Sequence, residues 1–367
     1  MRVRAWLAAV AIFAVTVAAS SGFSVAQTGG AFKVVGVPID QTAESAAAAR
    51  TLALAAGQQE AYRRLVRRLA LLGDIGTAPA ASPALLREIV SGIAVESEKT
   101  SSVRYLASLT VDFDPAAVRK RFLAAGLRWA ETQSKPLVVL PVFRTQGTVQ
   151  LWDRTNIWHQ TWRDAPESDG LIRLIVPPGE TSDLAAISPS QALSGDEARI
   201  SVIAEQYGAG GALLLAATLS SEPGTGHVLA VSINRFSSAG SHRASTRSFA
   251  ANPDTTVSEL MTLAVNQVRR DIEEEWKFDN LLRFGEQQEL VAVAPLSGLR
   301  ALIRIKRLLQ SVAEIRSFEL ISVTREEARF RLRYLGDPAQ LEFALAQKDL
   351  ALTQGAVDWR LALKGPG

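Results

Sequence analysis

Not one of the 367 residues is a cysteine. Whatever this chain folds into is held by apolar packing and backbone hydrogen bonds, with no cross-link, no thiol nucleophile and no thiolate metal site. The first residues, MRVRAWLAAVAIFAVTVAASSGFSVAQT, make that constraint sharper. Arg2 and Arg4 precede an apolar run from Ala5 to Ala19, and small residues follow to Ser24-Val25-Ala26, the pattern of a secretory signal peptide over residues 1–26. The rival reading is an uncleaved anchor, for which the run is shorter than the roughly 20 residues a spanning helix prefers. The expected address is a bacterial periplasm, with a membrane-anchored form as the alternative and no stable span once the signal is cut. An exported chain without cystines has to bury apolar cores, and this length suits two or three domains, each able to bury its own.

Charge removes one class of partner. Lys plus Arg number 40 against 37 Asp plus Glu, and removing Arg2 and Arg4 leaves 38 against the same 37. Nucleic-acid binding calls for clustered excess positive charge, so none is expected here.

The hydrophobic period changes along the chain in a way that marks three α+β modules. Over 31–130, the strand FKVVGVPID leads into a long helix with Leu52, Ala53, Ala56, Tyr62, Leu65, Val66 and Leu69 on one face, expected to stop at Gly73-Asp74. The helix SPALLREIV, two strands and a helix capped by Asp114 with Pro115 in its first turn follow. Over 135–280, the run PLVVLPVF reads as one central strand, followed by a tryptophan-bearing helix, the strand LIRLIVPPG, a helix, three strands and a long closing helix. Here YGAGGALLL reads as a left-handed helix stop and a tight entry to the sheet, and Asp183 and Asp196 read as helix caps. Over 286–364, the order β-α-β-β-α-β is ferredoxin-like, with Asp337 capping its second helix. Strand ARFRLRY alternates Phe330 and Leu332 with Arg329, Arg331 and Arg333, which predicts a basic outer face.

Chemistry-bearing patterns are few. His159, His227 and His242 are the three histidines, and the last two head opposite ends of a hairpin some 25 Å apart. No metal or cofactor is expected. No nucleophile elbow is present, although a triad assembled across the fold needs no sequence motif, so a hydrolase with an unrecognised site stays open. Asp271, Glu273, Glu274 and Glu275 fan around a helix and read as its solvated end, not as a converging acid pair.

Two stretches invite a binding role. LWDRTNIWHQTWRD carries three of the seven tryptophans. With Asn156 as cap, Trp158 and Trp162 share one helix face, as a core stripe or as an aromatic platform for a glycan, while His159 and Arg163 fall mainly off it. YRRLVRR places Arg63, Arg64, Arg67 and Arg68 along one helix, as a solvated face or as a cationic stripe for lipid or an acidic partner. The candidate contact residues are therefore Trp158, His159, Arg163, Arg63, Arg64, Arg67 and Arg331.

The signal, FKVVGVPIDQTAESAAAARTLALAAGQQEAYRRLVRRL, PLVVLPVF, LWDRTNIWHQTW and LIVPPGETSDLAAISPSQALSGD together resemble the bacterial domain-of-unknown-function family 2066, mostly in the first two blocks. That resemblance implies an exported protein and brings no catalytic residue with it. More loosely, the long helix and YGAGGALLLAATL are similar to modules of envelope assembly factors of flagella and lipoproteins, a likeness at fold level alone. The expectation is a non-catalytic periplasmic protein that binds another envelope protein, with a glycan or lipid ligand as the alternative.

Overall fold

The computed structural model describes residues 30–145, 147–222, 226–237, 242–252, 254–282, 287–355 and 357–364. The signal-peptide expectation falls on residues 1–26, outside them. The described chain is mixed α+β, built on three sheets.

The first sheet holds β1 (Lys33–Thr42), β2 (Val90–Thr100) and β3 (Arg104–Phe113) in the antiparallel order β1-β3-β2. Between β1 and β2 come α1 (Ala46–Leu69), a 3₁₀ turn (Leu72–Thr77) and α2 (Pro83–Ile89); α3 (Pro115–Ala124) follows β3. Ser45 caps α1, and Asp114 caps α3 through the amides of Ala116 and Ala117, with Pro115 in its first turn.

The seam of α1 differs from the expected one. Leu52 is exposed, and contact with the sheet runs through Ala49, Ala53, Gly57 and Ala61 before it widens to Leu65 and Leu69. Small residues are needed because helix and sheet approach closely: a β-carbon on Gly57 would lie 2.5 Å from Leu109 Cδ1 and 2.6 Å from Ile39 Cγ2. The helix also stops short of Gly73. Its last carbonyls at Arg67 and Ala70 accept from Lys277 Nζ at 2.7 and 3.0 Å, so a buried lysine does the work expected of a glycine.

The second sheet runs β10-β9-β8-β4-β7. Its strands are β4 (Leu137–Leu140), β5 (Phe143–Thr145), β6 (Thr148–Gln150), β7 (Leu174–Ile175), β8 (Gly211–Glu222), β9 (Gly226–Ser237) and β10 (His242–Ala250). Its helices are α4 (Ile157–Asp164), α5 (Thr181–Ala186), α6 (Pro189–Ser194), α7 (Glu197–Gln206) and α8 (Val257–Asp279). The expected single strand PLVVLPVF is two, because Pro141 has no N–H to give the ladder. Both pieces keep one register on β8, Val138 opposite Ala212 and Phe143 opposite Ala217, and Asn156 Nδ2 donates to the Pro141 carbonyl at 3.0 Å. Gly208 supplies the left-handed stop of α7 at φ +59°, as the glycine-rich stretch predicts.

Asp196 caps α7, but Asp183 sits one turn inside α5 and works backwards. One of its oxygens accepts from the amides of Gly179 and Glu180, the other from Gln206 Nε2 and Tyr207 Oη, both at 2.8 Å. Burial, and then this carboxylate, push the Tyr207 phenol far up.

The third sheet has the order β12-β13-β11-β15-β14. Its elements in chain order are β11 (Gln287–Pro295), α9 (Leu299–Gln310), β12 (Ile315–Val323), β13 (Glu327–Leu335), α10 (Pro338–Ala346), β14 (Leu350–Gln354) and β15 (Trp359–Leu363). The expected run gains a strand, β14. It forms a hairpin with β15, which slots in parallel beside β11 at Ala292 and Val293. Asp337 caps α10 through the Gln340 amide at 2.8 Å.

Apolar packing does not follow the composition breaks. Alternate residues of β4 and β8 face opposite ways: Val138, Leu140, Ala212 and Leu214 enter a small cluster with α6 and α7, while Leu137, Val139, Leu213 and Leu215 enter a large one. That large cluster contains Trp158 and Trp162 of α4 and Leu260, Val268 and Trp276 of α8. It continues without a break into Leu65, Leu69, Leu109 and Phe122 of the first sheet and its helices. The third sheet has a core of its own around Phe330, Leu332, Ile305 and Leu345.

Candidate functional site

The tryptophan helix is core. Trp158 is fully buried and donates from Nε1 to the Leu215 carbonyl at 3.0 Å, and Trp162 meets it edge-on with ring centroids 5.8 Å apart. His159 is buried too, which its position off the tryptophan face did not suggest. Its ring lies edge-on to Trp152 at 5.8 Å, and Nε2 is 2.8 Å from the Pro177 carbonyl. A carbonyl only accepts, so Nε2 carries the proton. Burial holds the imidazole below its ordinary pKa against the opposing pull of that carbonyl. An imidazole so placed is a structural tie with no route to a ligand. His227 and His242 lie at opposite ends of the β9–β10 hairpin, since His242 pairs with Phe236 while the His227 carbonyl accepts from Ala251. About 30 Å of strand separates those positions.

The chosen arginines are already engaged. Arg63, Arg64 and Arg67 gather on one carboxylate, Glu60, at 2.9, 3.4 and 3.0 Å. Arg68 is buried and ties the Ala31 and Lys33 carbonyls at 2.9 and 2.7 Å to Asp169. Arg64 and Arg67 also edge a crevice of about 440 Å³ against α8. On β13 the expected basic face is neutralised by its neighbours: Arg331 meets Glu289 and Glu319 at 3.1 and 3.0 Å, Arg333 meets Glu289, and Arg329 meets Asp358.

The acidic run on α8 is both paired and, at Asp271, Glu274 and Glu275, partly solvated. Asp271 pairs with Arg247 and Glu275 with Arg243, Glu274 accepts from the Leu72 amide and Lys277, and Glu273 accepts from the amides of Leu171 and Ile172. Each goes to a different neighbour, as fanned helix positions must.

What brings polar groups together is a cleft of about 1170 Å³ where the three sheets meet. The segment joining the first two sheets forms its floor. Arg119 of α3 grips Glu131 through two nitrogens, at 2.9 and 2.5 Å, and Trp129 Nε1 donates to the same carboxylate at 2.7 Å. The next residue, Thr132, reaches the third sheet: its hydroxyl donates to Glu314 Oε1 at 2.6 Å, while its carbonyl accepts from Trp276 Nε1. Lys135 spans the same seam, its amide donating to Gln347 Oε1 and its ammonium lying 2.6 Å from Asp349 Oδ1.

Two polar atoms in the walls have no protein partner. Glu314 is 1% exposed and its Oε2 is unbonded; Trp162 is 3% exposed and its Nε1 is unbonded. A buried polar atom left without a bond costs about 1–3 kcal/mol, a cost that a water or a ligand group can relieve. Burial raises the Glu314 carboxyl above the usual range against the Thr132 bond, and burial lowers the Lys348 ammonium. Arg163, on the candidate list, edges this cleft beside Trp162. Of the seven candidates, Arg163 alone lines the cleft; Glu131, Thr132, Glu314 and Lys348 were not foreseen. Glu131 is spent on three donors and Asp349 on Lys135, whereas Glu167 stands exposed at the edge of the same cleft.

Comparison with known proteins finds no matching family, no matching curated protein and no matching solved structure.

Proposed function

We propose that this chain is an exported, non-catalytic binding protein of the bacterial cell envelope, and that its partner enters the cleft between the three sheets. The single observation behind this reading is the pair of unbonded atoms there: an indole N–H that can only donate, and a buried carboxyl oxygen that can accept or, protonated, donate. Arg163, Arg173 and Lys348 also line the cleft, favouring a partner that presents an anionic group together with hydrogen-bonding groups, as an envelope protein segment or an acidic glycan does. In this reading three α+β modules, the last a ferredoxin-like unit enlarged by β14, frame the cleft, and the resemblance to domain-of-unknown-function family 2066 accords with export. The glycan alternative moves from a Trp158 platform to the cleft, beside Arg163 and Arg173.

A photo-crosslinking residue at Gln347 in the cleft wall tests it, with a second at exposed Lys99 on β2 as control, both in the full chain mixed with an envelope fraction. The expected result is a reproducible adduct from position 347 alone, weakened by Trp162→Phe, which keeps an aromatic ring and removes the donor. Equal adducts from both positions, or none from 347, contradict the reading.

A further inference from the structure

Three cations of α1 are held by Glu60, whereas those of α9 have no ion-pair partner among the described residues. In LRALIRIKRLLQ, Arg300, Arg304, Lys306 and Arg307 stand with no acid in the helix, and none of the four has an ion-pair partner among the described residues. Ile305 and Leu309 enter the core of the third sheet, yet Leu299 and Ile303, one turn apart, are 70% and 50% exposed. At 100° per residue these two leucine and isoleucine positions fall within the arc that also carries Arg300, Arg307 and Lys306, on the side away from Ile305. The solvent face is thus an apolar pair ringed by positive charge.

Helix stability does not account for it. Arg307 near the C-terminal end suits the helix dipole, but Arg300 sits in the first turn, where a cation is disfavoured. The N-terminal position Gly298 offers no side-chain cap and the first turn carries no acid. The β12–β13 turn touches the strand-to-helix connection, where Leu296 N donates to the Glu326 carbonyl, and brings Arg325 together with Glu326 and Glu327; the local balance stays positive.

We infer that the outer face of α9 docks on an anionic phospholipid surface, with Leu299 and Ile303 entering the headgroup boundary and Arg300, Arg304, Lys306 and Arg307 meeting lipid phosphates. Charge complementarity selects this occupant: a chain of near-balanced overall charge concentrates four unpaired cations on one short helix, and cations interleaved with exposed apolar side chains are what an interfacial helix requires. An acidic protein groove would take the charges too, and the test separates the two.

The experiment is co-sedimentation of the full chain with phosphatidylcholine vesicles, with or without phosphatidylglycerol, over a salt series. Binding is expected on the anionic vesicles only and to weaken with salt. Each lost cation costs about fivefold in partitioning, so Arg300→Gln with Arg304→Gln lowers binding by roughly 25-fold, Leu299→Asp with Ile303→Asp abolishes it, and Arg63→Gln with Arg67→Gln leaves it unchanged. These are exposed positions, and an unaltered circular dichroism melt confirms each variant's fold. No binding to anionic vesicles, equal binding of the α9 and α1 variants, or self-association that Leu299→Asp removes without vesicle binding overturns the inference. The cleft cross-link is independent of it, so either can fail alone.

Discussion

Residues 31–282 and 287–364 solve the same problem, cysteine-free folding, in different ways. In the first region two sheets and their helices share one apolar cluster, and the polar stretch ETQSKP is threaded through packed structure: Glu131 and Thr132 are buried and the Ser134 amide donates to the Leu171 carbonyl. The second region closes its own core and meets the first through polar bonds, Thr132 to Glu314 and Lys135 to Asp349, and through the Trp276–Phe343 contact at 5.5 Å. An apolar interface seals, whereas a polar one leaves room. The cleft, with its unbonded atoms, lies along the second kind.

The largest effects should come from opening either core. Trp158→Ala removes the indole that joins α4 to β8 and should cost about 3–5 kcal/mol, lowering hydrogen-exchange protection in β1–β3 as well as in β8 and β9 while sparing β11 and β13. Phe330→Ala should cost about as much with the opposite footprint, confined to 287–364; spread of that loss into α1 would break the comparison. A smaller effect is expected of Gly57→Ala, whose added carbon must displace Leu109 and Ile39 at a cost of about 1–3 kcal/mol, read as a shift in the denaturant midpoint.

At the seam the effect is one of pH. Burial raises the Glu314 carboxyl, so its contribution to stability is full below the unfolded value near ~4.3 and is lost as pH rises through the higher folded value. A pH series of melting temperatures should show that fall, and Glu314→Gln should flatten it. The smallest effect belongs to the α1 surface: Glu60→Gln releases three half-exposed arginines and should change stability by less than about 1 kcal/mol, detectable as a lost salt dependence.

Much of this fold is legible in the sequence because it is local. Ser45, Asp114, Asn156, Asp196 and Asp337 are caps whose partners lie two or three residues away, and the α8 stripe follows from its period alone. The seam of α1 is not, since Ala49, Ala53, Gly57 and Ala61 become a contact face only through the sheet that meets them, and Leu52 is the better hydrophobe on paper. β14 is hard to read because its five residues between a helix and a strand give little period. The cleft could not be read at all: Thr132 and Glu314 are 182 positions apart, and an unbonded oxygen has no sequence signature. By contrast α9 was within reach. Its acid-free run of four cations is visible in the sequence, but that Leu299 and Ile303 stay exposed is not, since apolar residues in an amphipathic helix usually enter a core.

Native-state hydrogen exchange on the full chain tests the division most directly. The account predicts that α1, β3, β8 and α8 lose protection in one common opening, with β11, β13 and α10 opening separately. A division at residues 131–136 instead, or a single opening shared by the whole chain, would contradict it.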